Sequence, residues 1–153
     1  MPPDKKRSQR LKPVLDLANL NLDKAEAEMG RCRQLLQQEQ GKLAGLIEYQ
    51  TEYREMIHHG AGAPVAAHQP QMMQSFLKQL QTAIEQQRRH ISSVEQQLTT
   101  VIASWKKRYG DTEAIGKVID NAKVSEREEA DRKQQNEMDD IAQMRFFSRD
   151  TNR

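Results

Sequence analysis

A single cysteine, Cys32, cannot close an internal disulfide, and no second thiol completes a metal knuckle. The composition therefore fits a reducing compartment, with Cys32 as a small filler of an apolar seam. Aromatic residues make up 5% and hydrophobic residues 36%, against 30% charged, which is too lean for a thick globular core. Long apolar runs are missing too, so nothing in the sequence suits a membrane span. The basic opening MPPDKKRSQRLK is not followed by the apolar stretch of a secretory signal, and a cytoplasmic protein is expected. Charge of one sign is absent as well: 24 basic against 22 acidic residues give +2, and no global field draws nucleic acid or an anionic membrane.

What is present is heptad spacing. Leu15, Ala18, Leu22, Ala25, Met29, Cys32, Leu36, Glu39, Leu43, Leu46, Gln50, Tyr53 and Ile57 alternate three and four residues apart. Glu39 and Gln50 are polar interruptions of the kind that fix register. A second line runs through Met73, Leu77, Leu80, Ile84, Gln87, Ile91, Val94, Leu98, Val101, Trp105, Arg108, Thr112 and Ile115. A period of 3.5 held this long means helices wound on a partner. Between the lines stands HHGAGAPVAAHQP, residues 58–70, where Gly60 suits a helix stop and Pro70 a helix start.

The fold class expected is all-α: an antiparallel two-helix coiled-coil hairpin with a C-terminal helical overhang. The spacing predicts a basic flexible lead-in over 1–12, a first helix over 13–58 opening at Pro13, with a helix starting near Ser8 and bending at Pro13 as the alternative, a turn over 59–69, a second helix over 70–145 and a disordered tail over 146–153. With the turn near residue 64, facing residues should have numbers summing to about 128. That places Tyr53 beside Ser75 and Phe76, Tyr49 near Gln79 and Leu80, Cys32 near Gln96, and Leu15 near Glu113. Pairing then ends near Leu15, leaving roughly thirty residues of the second helix, ~45 Å, without a partner. Gly110 and Gly116 invite a bend where that overhang begins.

Two stretches stand out as functional candidates. Near the turn, Phe76, Leu80, Ala83 and Gln87 make a second line displaced by one residue from the Met73–Leu77–Ile84 line, and Tyr49, Tyr53 and Met72 add to it. This surplus either lids the seam or docks another protein. The overhang carries Arg127, Arg132 and Lys133 among Glu126, Glu128, Asp139 and Asp140, with Met138, Ile141, Met144, Phe146 and Phe147 as its few apolar groups. Either it is a solvated end or something charged receives it. His58, His59 and His68 lack the further ligands of a metal site. The runs Arg88–Arg89–His90 and Lys106–Lys107–Arg108 have no interleaved aromatics for base stacking, so no nucleic-acid partner is expected. No phosphate-binding glycine loop or activated nucleophile occurs, and Asp139 and Asp140 diverge by about 100° on a helix. A thin hairpin offers no concave pocket, so neither an enzyme nor a cofactor is expected.

The stretch Leu46-Ile47-Glu48-Tyr49-Gln50-Thr51-Glu52-Tyr53 resembles the L-I-x-Y-x-x-E-Y signature of the flagellar export protein FliJ family. The run from Phe76 through Leu80, Ala83 and Ile84 to Gln86 is similar to its second signature. Trp105 with its basic neighbours, and Glu137-Met138-Asp139-Asp140-Ile141-Ala142, are similar to its closing segments. Gln87 stands where members of the family carry histidine.

The resemblance implies a non-enzymatic stalk or adaptor of the flagellar type III export apparatus, cytoplasmic and peripheral to the inner-membrane face. Its implied partners are the hexameric export ATPase FliI, the cytoplasmic domain of the export-gate protein FlhA, and export chaperones whose cycling it assists. By position, gate contact falls to Tyr49, Tyr53, Phe76, Leu80 and Ala83, and ring contact to Arg127, Lys133, Met138 and Ile141. The chain alone is expected to be a 17.7 kDa monomer. The alternatives are a generic parallel coiled-coil dimer, in which the bend is only a hinge, and a holdase-type chaperone.

Overall fold

The computed structural model describes residues 4–59 and 69–152, and among them every regular element is helical. Helix α1 spans Arg7–His58 and helix α2 spans Gln69–Asp150. Residues 60–68, with the expected stop at Gly60 and the loop histidine His68, lie outside the described residues, as do residues 1–3 and Arg153. The two helices pack against each other, and two compact units are distinguished: Lys24–Lys106, and Met1–Asp23 with Lys107–Arg153.

In the Lys24–Lys106 unit, both heptad lines are the covered lines. Ala25, Cys32, Leu80, Ile84, Ile91, Val94 and Val101 are buried, and Ile84 most of all, at 2% exposure. Partners across the seam run antiparallel. Their numbers add to 126 for Cys32–Val94 and Glu39–Gln87, and to 131 for Glu26–Trp105 and Gln50–Gln81. The value expected from the turn, about 128, lies inside that range.

Individual neighbours lie within about a turn of that register. The Cys32 thiol lies 4.0 Å from the carbonyl of Val94, two residues from Gln96. The Tyr49 ring meets Phe76, at 6.0 Å between centroids, about one turn from Gln79 and Leu80.

The polar interruptions of the seam are bonded across it. Gln87 Nε2 donates to Glu39 Oε2 at 2.6 Å and to the Glu39 carbonyl at 2.9 Å. Lys42 Nζ donates to Glu39 Oε1 at 2.9 Å, and His90 Nε2 stands 3.6 Å from Oε2. These groups hold the Glu39 carboxyl below its ordinary range, the Gln87 hydrogen bond first and the Lys42 hydrogen bond second. Gln50 Nε2 donates to Gln81 Oε1 at 2.9 Å. A one-residue slip would bury an unpaired carboxylate and two unpaired amides, so these groups specify register as well as filling space.

The second unit differs from expectation at both ends of its chain segments. Helix α1 begins at Arg7, ahead of Pro13, which sits inside it. The Lys6 carbonyl accepts from the amides of Gln9 and Arg10, each at 3.0 Å, and so opens the first turn. Ser8 is buried at 7% exposure and bonds to Glu126, which extends the pairing well beyond Leu15. The heptad runs backward from Leu15 through Leu11 to Ser8, and forward from Ile115 through Ile119 and Ala122 to Glu126; every one of these positions is at least half covered.

Past Glu126 the line that faced α1 reads Glu129, Lys133, Asn136, Asp140 and Gln143. None of these is apolar, and α1 itself begins at Arg7, so the pairing stops here and residues 127–152 are exposed throughout. The unpaired helix, residues 127–150, is thus shorter than the thirty residues expected, ~36 Å at 1.5 Å per residue. It persists through the expected tail as far as Asp150. The Thr151 hydroxyl donates to the Phe147 carbonyl at 2.9 Å, and Arg149 complements the negative end of the helix dipole. Helical hydrogen bonding is continuous through Gly110 and Gly116.

Candidate interaction surfaces

The aromatic surface belongs to the Lys24–Lys106 unit. The tyrosines lie one turn apart on α1, and Phe76 comes from α2. The Tyr53 and Phe76 rings stand 4.7 Å apart and the Tyr49 and Phe76 rings 6.0 Å apart, both edge to face. Tyr49 is 50% exposed and Met72 is 72% exposed, while Tyr53, Phe76 and Ala83 are half covered. Tyr53, Met72, Ser75, Phe76 and Gln79 line a shallow depression. Leu80 stands apart from this group: at 7% exposure it is a seam residue. Of the five residues expected to contact a gate, Tyr49, Tyr53 and Phe76 are brought together, Ala83 is half covered on α2, and Leu80 is buried in the seam. Gln87 donates to Glu39 across the seam, and the His90 imidazole stands 3.6 Å from the same carboxylate.

The second surface is the unpaired helix. Met138, Ile141, Met144, Phe146 and Phe147 are 64%, 53%, 74%, 67% and 69% exposed. At about 100° per residue, Arg127, Gln134, Met138, Ile141 and Arg145 share one face, roughly opposite the line that faced α1. Lys133 falls on that other line. Of the residues expected to contact a ring, then, Arg127, Met138 and Ile141 are brought together and Lys133 is not. Around its end the helix is apolar on nearly all sides, since Phe147 and Met144 point away from Met138 and Ala142. Such a helix end suits enclosure more than a one-sided dock.

Two features escaped the sequence reasoning. One is the bond of Ser8 to Glu126: Ser8 Oγ donates to Oε2 at 2.7 Å and the Ser8 amide donates to Oε1 at 3.0 Å. These bonds hold the Glu126 carboxyl below its ordinary range, the backbone amide contributing most and the hydroxyl next. Counting the heptad backward from Leu15 would have found Ser8; Pro13 and the run of cations argued for a loose arm instead. The other is a shallow groove beside the seam, lined in part by Val14, Leu17, Ala18 and Ile115. Leu17 lies off the heptad line, which is why periodicity did not mark it.

No group of three metal-ligating side chains gathers among the described residues, and none of the helices is long and apolar enough to cross a membrane.

A family model described as Flagellar FliJ protein matches residues 7–151. The chain belongs to the FliJ family. Among its relatives, the Flagellar FliJ protein of Salmonella typhi is 29% identical over 133 residues, covering 87% of this chain and 90% of that protein. The Flagellar FliJ protein of Escherichia coli (strain K12) is 26% identical over 133 residues, with the same coverage. Membership in the FliJ family makes the chain a component of the flagellar export apparatus and not an enzyme.

Proposed function

We propose that the chain is a stalk or adaptor that couples the hexameric export ATPase FliI to the export gate FlhA at the cytoplasmic face of the inner membrane, and that it assists the cycling of export chaperones. The observation that carries this reading is the unpaired helix 127–150. Its α1-facing line is polar as far as Gln143, Met138, Ile141 and Met144 lie on other faces, and its end is apolar nearly all round. A single helix of this kind has little reason to persist in water unless a cavity receives it. Arg127, Met138 and Ile141 are the side chains offered to a ring; Lys133 contributes from the polar line.

The aromatic surface is the complementary gate contact. Tyr49 and Phe76 present exposed ring area at low conformational cost, as interface anchors do, and Leu80 supports them from below. Tyr53 and Ala83 complete the surface. The stalk forms no covalent bond and binds no cofactor; it acts by binding energy alone.

The test is the turnover of the export ATPase with and without this protein. A rise in turnover that is lost with Met138→Asp and Ile141→Asp supports the reading, and turnover indifferent to the protein overturns it. Phe76→Ala with Ala83→Asp is expected to weaken gate binding by about tenfold or more, as for interface anchors, while helicity and ATPase stimulation persist. Loss of helicity in that double variant would mean that the surface is core.

A further inference from the structure

The first two turns of α1 are built unlike the rest of the helix. The residue whose carbonyl opens the helix is Lys6, which has no side-chain acceptor, and the first turn contains no acidic residue. Lys5, Lys6, Arg7, Arg10 and Lys12 instead set positive charge at the positive end of the helix dipole. Pro13 then removes the hydrogen bond that its amide would give to the Gln9 carbonyl and crowds that carbonyl. Taken alone, residues 7–12 are a poor helix joined to a good one by a weakened turn. Two things hold them: Leu11 in the seam, and the Glu126 carboxylate. The latter accepts the Ser8 amide that an N-cap side chain would ordinarily satisfy.

We propose that residues 7–12 form a strap, hinged at Pro13 and fastened by Glu126, whose release lengthens the unpaired part of α2. The register between the Ser8–Glu126 and Ala18–Thr112 contacts puts Leu11 opposite Ala122, and Leu15, beyond the hinge, opposite Ile119. Ala122 is 9% exposed with the strap closed. Opening uncovers it and extends the single helix by a little more than one turn, ~7.5 Å. The length of free helix is then a variable set by one carboxylate and one proline. Competition by an acidic surface for the strap's cations favours the long form.

Thiol accessibility in the full chain tests this without any partner. Ala122 and Ala25 are equally covered, each at 9%, but the strap covers only the first. In a Cys32→Ala background, Ala122→Cys is expected to react with a maleimide about tenfold or more faster than Ala25→Cys, as low-stability local opening requires. Glu126→Ala should raise the rate at position 122 by about fivefold, the usual effect of a lost cap, and leave position 25 unchanged. Pro13→Ala, remote from the thiol, should lower the rate at 122 by restoring the missing hydrogen bond. Equal rates at the two cysteines, or a rate at 122 indifferent to both Glu126→Ala and Pro13→Ala, overturns the proposal.

Discussion

The two units pair the same two helices by different means. Across Lys24–Lys106 the seam is filled by Ile84, Ile91, Val94 and Val101 and pinned by the Glu39–Gln87 and Gln50–Gln81 bonds. In the unit formed by Met1–Asp23 and Lys107–Arg153 the buried apolar groups are fewer, Ile119 and Ala122, with Leu11, Leu15, Ala18, Leu22 and Ile115 only half covered and Thr112 donating to the Ala18 carbonyl at 3.4 Å. There the last bond is a carboxylate capping a helix start. Since each well-buried Leu or Ile is worth ~1.5–3 kcal/mol before entropy, stability should be graded from the first unit to the second and then to the unpaired helix. On the proposed stalk reading, that gradient would keep the helices paired at the gate contact and leave a lone helix for the ring.

The gradient can be broken most severely at Ile84. Ile84→Ala is expected to cost ~2–4 kcal/mol, because the site is nearly sealed and a two-helix seam has few neighbours to collapse into the cavity. Ile119→Ala should cost less, ~1–2 kcal/mol, since fraying of the adjoining turns relieves the cavity. Urea melts of the two variants check the order; equal losses would mean that the units are equally stable.

Acid sharpens the comparison at the next level. Glu39 and Glu126 both have carboxyls held below their ordinary range, Glu39 chiefly by Gln87 and Glu126 chiefly by the Ser8 amide. A depressed carboxyl gives stabilisation that is complete above its unfolded-state value and is lost as pH falls through the folded-state value. Thermal midpoints should therefore fall between about pH 6 and about pH 3, and Glu39→Gln should flatten part of that fall. The Glu126 share should remain and be removed by Glu126→Gln. The smallest effect on stability belongs to the unpaired helix: Met138→Asp with Ile141→Asp should shift the midpoint by no more than the ~0.5 kcal/mol typical of exposed sites.

How far this arrangement was legible in the sequence varies with the residues concerned. Every α1 seam position from Leu15 to Ile57 is covered, and of the α2 positions from Met73 to Ile115 only Arg108 is exposed. Strict spacing made that line plain, and the antiparallel register followed from the position of the bend. Periodicity could not tell that Leu80, which lies on both the seam line and the aromatic line, belongs to the seam. Gln87 lies on both lines as well, and its pairing with Glu39 follows the seam spacing. Pro13 left the start of α1 open between Ser8 and Pro13, because a proline that opens a helix and one that interrupts it look alike without the contacts of the partner helix. The faces of the unpaired helix were readable in principle: past Glu126 the seam line loses every apolar residue until Phe147, which fixes where pairing must end.

The central claim is that antiparallel pairing within one chain covers α2 as far as Glu126 and leaves residues 127–150 unpaired. Residue-resolved amide hydrogen exchange along α2 tests it most directly. Protection close to that of global unfolding at residues 84–101, falling abruptly after Glu126 to near-unprotected rates, is the result expected. Uniform protection through Asp150, or none at 84–101, would contradict it.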